Sequence, residues 1–136
     1  VAQTLEIRQK SVPQAQMSCK NLAVAVPTAG NTVLLEVPVS GTGILFATFK
    51  NTGFLFDAFI VEVRPHRDAP YVTLFSLAAD YTTPKSPLLN ASGDLTILAN
   101  GSTGWLYMLT EGFESVRFSA SANGTATAVD AYAGAN

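Results

Sequence analysis

Charge and reactive side chains are scarce in this sequence. Of 136 residues only 13% are charged, and there is one histidine and one cysteine. Cys19 stands alone, so no intrachain disulfide forms and the fold must stand on packing. His66 is the single imidazole, so any Cys–His or Ser–His–Asp chemistry has to use it, and no Gly-x-Ser-x-Gly turn is present. A structural zinc site needs about four nitrogen or sulfur ligands, and Cys19 and His66 fall short of that. No apolar run approaches the ~18 residues of a membrane-spanning helix. A net charge of −2 with scattered Lys and Arg gives nucleic acid no basic stripe to follow. The expectation is therefore a non-enzyme, with no catalytic residues, no metal, no cofactor, no membrane and no nucleic acid.

What the chain does have is apolar residues, 48% of the total, broken into short bursts. They run Val33–Val39, Ile44–Phe49, Phe54–Val63, Leu95–Ala99, Trp105–Leu109 and Val116–Ala120, with Gly, Pro, Asn, Ser and Thr between them. Short bursts separated by turn residues predict an all-β, single-domain two-sheet β-sandwich, jelly-roll-like, with about eight or nine antiparallel strands. One domain spans 1–136, with 9–18 a loop or extended arm interrupted by Pro13. Val1–Arg8 reads as a first or edge strand with Leu5 and Ile7 on one face. Leu22, Val24 and Val26 form one inward row, and Val33, Leu35, Val37 and Val39 form the next. Pro38 lies within that second run, so the strand ends there or lies at an edge, because proline cannot donate to a ladder.

Phe59, Val61 and Val63 alternate cleanly, whereas Phe54-Leu55-Phe56 is apolar on both faces, which predicts a bulge near Asp57-Ala58. Gly41-Thr42-Gly43 reads as a hairpin turn, and Asn123-Gly124 as a hairpin joining Phe113–Ser121 to Thr125–Tyr132. Asn100–Gly104 likewise predicts a hairpin between Asp94–Ala99 and Trp105–Leu109, and Leu77–Asp80 is the best place for a short helix. Trp105, Tyr107 and Leu109 share one strand face, which is assigned to the core.

Glu111 and Glu114 are three apart at a turn, with Arg117 near enough to neutralise one of them, so they read as solvated turn residues and not as a glycosidase pair. The loop Arg64-Pro65-His66-Arg67-Asp68-Ala69-Pro70 is stiff and bears guanidinium groups, which suits an acidic protein surface. Phe54, Phe56, Ile60, Leu98, Leu106 and Met108 lie off the expected inward phase and, with Arg64, His66 and Arg67, are the candidate partner contacts. The alternative reading is a carbohydrate-binding, lectin-like sandwich, with Trp105, Tyr107, Tyr71, Tyr81 and Tyr132 as stacking residues.

The alternating tail Val116-Arg117-Phe118-Ser119-Ala120-Ser121-Ala122-Asn123-Gly124-Thr125-Ala126-Thr127-Ala128-Val129 and the Ala-, Gly- and Thr-rich ends resemble the small decoration or cement proteins of tailed-bacteriophage capsids. That resemblance implies a structural virion protein, made in the host cytoplasm and carried on the capsid surface. Its implied partners are the major capsid protein and other copies of itself, as a homodimer or homotrimer. It implies stabilisation of an icosahedral shell by bridging capsid subunits, and it carries over no functional residue.

Overall fold

A computed structural model describes residues 17–53, 56–78, 103–122 and 124–136, with the backbone alone at 57 and 75–78. Eight strands lie among them: β1 (Met17–Val26), β2 (Thr32–Pro38), β3 (Ile44–Asn51), β4 (Phe56–Arg64), β5 (Val72–Ala78), β6 (Thr103–Leu109), β7 (Ser115–Ala122) and β8 (Thr127–Ala135). They form two four-stranded antiparallel sheets, a front sheet in the order β1-β8-β3-β6 and a back sheet in the order β2-β7-β4-β5. First pairs with eighth, second with seventh, third with sixth and fourth with fifth. That nesting is one long antiparallel hairpin rolled so that successive strand pairs alternate between layers, the jelly roll. The fold is the expected all-β sandwich.

Both inner faces are apolar. Leu45, Ala47 and Phe49 of β3 and Val129, Ala131 and Ala133 of β8 face Phe59, Val61 and Val63 of β4 and Val116, Phe118 and Ala120 of β7, all buried. Phe49 ties the layers together, its ring 5.3 Å from that of Phe59 and 5.1 Å from that of Phe118, both edge to face.

Three local expectations hold. Phe59, Val61 and Val63 point inward, the ladder shifts register between Phe56 and Ala58, and β2 is an edge strand ending at Pro38. Others need correction. Asn123-Gly124 does not close a hairpin, because β7 pairs with β2 and β4 while β8 pairs with β1 and β3. Gly41–Gly43 also carries the chain from the back sheet to the front. Among the described connections only β4–β5 stays within a sheet, so most of the turn residues build corners. At such a corner buried Asn51 accepts hydrogen bonds from Thr127 Oγ1 and, at 3.0 Å, from the Gly53 amide. A Cβ at Gly53 would collide with Thr127 there, 2.9 Å from its Cα, so only glycine fits.

The inward row of β2 breaks as well. The ladder slips between Val33 and Leu35, so Leu34 and Leu35 are both buried and Val33 is exposed. In β1 a slip between Asn21 and Val24 turns Leu22 outward. Ala23 there has φ +53°, and its amide donates to Asp130 Oδ1 at 2.8 Å. Leu77 and Ala78 belong to strand β5, not to a helix. Of the expected arm 9–18, Met17 and Ser18 open strand β1, while its residues 9–16, the segments 1–8 and 94–99, and residue 80 lie outside the described residues.

Candidate functional site

Strand geometry decides which side chains reach solvent. In β3, Lys50 shares parity with Thr48, Phe46 and Ile44, and all four point away from the core. Register places Leu109 opposite Ile44, Tyr107 opposite Phe46 and Trp105 opposite Thr48 on the edge strand β6. On the other side Tyr132 of β8 lies opposite Thr48, and Gly134 opposite Phe46. Five large side chains of this face are exposed: Leu109 at 71%, Tyr107 at 57%, Phe46 and Tyr132 at 46% and Ile44 at 38%. Trp105 is half-buried beside Phe46, with ring centroids 5.8 Å apart. Lacking a side chain, Gly134 leaves a trough whose walls are Ser18, Lys20, Phe46 and Tyr132. A second hollow beside it is lined by Met17, Ile44 and Asn136. Exposed apolar surface gathered in this way marks a contact site more often than scattered single residues do.

This face reverses the assignment of β6. Trp105, Tyr107 and Leu109 point outward, and Leu106 is the buried residue, 6% exposed. Gly104 and Leu106 face inward because the register with β3 sets them opposite Phe49 and Ala47. Two candidate contacts are therefore core residues, Leu106 and Phe56. Met108 is half-buried and packs against the core. Ile60 is half-buried on the outer side of β4, and Phe54 and Leu98 lie outside the described residues. Sequence did contain a signal for β3, since charged Lys50 fixes the outward phase of Phe46 and Ile44. It held none for β6, where Trp105 to Leu109 is apolar on both phases and no charge breaks the tie.

The outer face of the back sheet has a different chemistry. Glu36, Arg117 and Glu62 stand side by side across β2, β7 and β4. Arg117 donates to Glu62 Oε1, with both nitrogen–oxygen distances 3.1 Å. Arg64 donates through Nε to Glu114 at 3.2 Å and lies 4.0 Å from Glu36. Glu114 is thus neutralised by Arg64 and not by Arg117, while Glu111 is exposed in its turn. Tyr71 lies against both guanidiniums, with Arg117 3.9 Å and Arg64 4.7 Å from its ring centre. Its hydroxyl donates to Ser115 Oγ at 2.8 Å, and Ser115 in turn donates to the Val37 carbonyl. The hydrogen bond to Glu114 raises the Arg64 pKa further, against the opposing pull of desolvation. Burial raises the Tyr71 phenol above its ordinary value.

His66 and Arg67 sit exposed in the β4–β5 loop. His66 Nδ1 accepts from the Asp68 amide at 3.1 Å and lies 3.7 Å from Asp68 Oδ2. Cys19 is half-buried on β1 in the other sheet, packed against the core. Among the described residues no three His, Cys, Asp or Glu side chains gather to hold a metal ion. Of the proposed stacking residues, Trp105, Tyr107 and Tyr132 share the front face, Tyr71 is committed to the back sheet, and Tyr81 lies outside the described residues.

Fold and surface together define a jelly-roll sandwich with ion pairs across β2, β7 and β4 on one outer face and exposed apolar side chains across β8, β3 and β6 on the other. No family model matches the chain, and no curated protein does. Solved structures to which it is similar include the SPBc2 prophage-derived protein YomS, at 11% identity and TM-score 0.48, over 90% of this chain and 97% of that one. Another is a chain of Bacillus endospore appendages, which form disulfide-linked pili, at 10% identity and TM-score 0.41, over 90% and 83%. A third comes from infectious bursal disease virus, Gx strain, at 10% identity and TM-score 0.40, over 90% of this chain and 29% of that one. The neighbours thus include a prophage-derived protein and a virus.

Proposed function

We propose that this chain is a structural, non-enzymatic virion protein that binds the outer surface of an icosahedral capsid and stiffens it by bridging major capsid subunits. The observation that carries this reading is the open apolar face formed by Ile44, Phe46, Tyr107, Leu109 and Tyr132 on a framework of antiparallel strands. Burying such surface contributes about 25 cal/mol per Å² before association costs, and repetition around a symmetric shell multiplies a weak contact. Bridging needs more than one adhesive surface. The second is the proline-bounded loop carrying His66 and Arg67, a preorganised donor for an acidic protein surface.

Adding the purified chain to undecorated shells tests the reading. The shell's melting temperature should rise, and Arg67→Glu combined with His66→Glu should weaken attachment without changing the fold. Shells whose melting is unchanged at saturating protein would remove the proposal.

A lectin-like reading gains one observation, the presence of Trp105, Tyr107 and Tyr132 on a single face. On that reading Trp105→Ala abolishes glycan binding and leaves the fold intact.

A further inference from the structure

We infer that the front-sheet face is covered by a second copy of this chain, in a two-fold dimer whose axis lies in the interface along β3. The inference rests on the structural reading above and names a second copy as the partner of its apolar face, so that the dimer bridges capsid subunits through its two His66–Arg67 loops.

Shape is the first argument. Across the sheet the order Ser18, Gly134, Phe46, Tyr107 gives a trough on one side of β3 and a ridge on the other. An axis along β3 carries β6 of one copy over β8 of its partner. Tyr107 then enters the trough above Gly134, the reciprocal contact forms by symmetry, and the two Phe46 side chains meet at the centre. A surface that carries a ridge and a trough at equal distances from one strand complements itself.

Charge is the second. Lys20 lies on β1, one strand beyond Gly134, and the same axis places β1 outside the partner's edge strand β6. Its ammonium stays in water and meets no like charge. At the polar end of the face the axis sets Lys50 opposite its own copy, and Asp130, beside it in register on β8, brings a compensating carboxylate on each side.

Area is the third. With roughly 150–250 Å² for each large apolar side chain, the exposures of the three aromatic and two aliphatic residues leave on the order of 500 Å² uncovered on each copy. Two such faces bury about 1,000 Å², which reaches the threshold of a specific interface before the rim is counted.

Sedimentation equilibrium of the full chain, without shells, tests the dimer. The wild-type chain should sediment as a dimer and Tyr107→Glu as a monomer. Gly134→Leu fills the trough, and a Cβ there meets nothing closer than the Met17 carbonyl at 3.8 Å, so the strand accepts it. That variant should weaken association at least tenfold with unchanged circular dichroism. A wild-type chain that stays monomeric up to about 100 µM overturns the dimer. So does a dimer indifferent to both substitutions, or a monomer that binds glycans through Trp105. The two proposals fail separately. A monomer that still raises shell stability sinks only the dimer, and a dimer without effect on shells sinks only the capsid role.

Discussion

The two outer faces of this sandwich are built on the same alternation and end in opposite states. Behind both lies the same aliphatic and phenylalanine core. On the back sheet every outward charge described on β2, β4 and β7 has a partner: Glu62 with Arg117, and Arg64 with Glu114 and Glu36, with Tyr71 laid against both guanidiniums. On the front sheet the corresponding positions carry Ile44, Phe46, Tyr107, Leu109 and Tyr132, all exposed. One face spends its side chains on intramolecular order. The other leaves them in solvent, and the proposed contact with a neighbour rests on that asymmetry.

Removing what the two faces share has the largest effect. Phe118 is fully buried and sits edge to face against Phe49 of the opposite layer. Phe118→Ala should cost about 3–5 kcal/mol in urea unfolding, by lost transfer energy and a cavity between the sheets. A loss below about 1 kcal/mol would mean that the layers are held by something other than this aromatic contact.

The middle prediction sets one face against the other. Arg117→Ala removes an ion pair with Glu62 and the guanidinium lying on Tyr71, and should cost about 1–2 kcal/mol. Leu109→Ser, on the front face at 71% exposure, should change stability by less than about 0.5 kcal/mol in protein dilute enough to be monomeric. Equal losses at the two positions would erase the distinction between a closed and an open face.

Much of the architecture could be read from residues alone. Alternation at Phe59, Val61 and Val63 fixed β4, the double-faced Phe54–Phe56 run flagged the bulge after Phe56, and Pro38 marked an edge. What escaped did so for physical reasons. A glycine or asparagine that reverses the chain looks the same whether the next strand pairs with the last or crosses to the other layer, so in sequence Gly41–Gly43 and Asn123-Gly124 are indistinguishable from hairpins. Period-two patterns shift by one at every bulge, which is why Val33 and Leu22 face outward. In β6 the contest between Tyr107 and Leu106 for the core is settled by register with β3 and not by hydrophobicity, and that hid the candidate site. Arg64 was legible as functional only by its charge, and the structure uses that charge at home.

The smallest effect separates the faces by pH. Tyr71 is held neutral chiefly by burial, reinforced by the Glu36 carboxylate and partly offset by Ser115 and Arg64. Its folded pKa therefore lies above the unfolded value of about 10. Below that value both states carry the proton and the contribution of the Tyr71 phenol is complete. As the pH rises past it the unfolded chain ionises first, so stability falls until the folded phenol also titrates. Urea midpoints taken in steps from neutrality upward should stay level and then drop more steeply in the wild type than in Tyr71→Phe. Parallel curves for the two proteins would show that the phenol contributes nothing to the closure of the back face, leaving the guanidinium–carboxylate pairs to hold it alone.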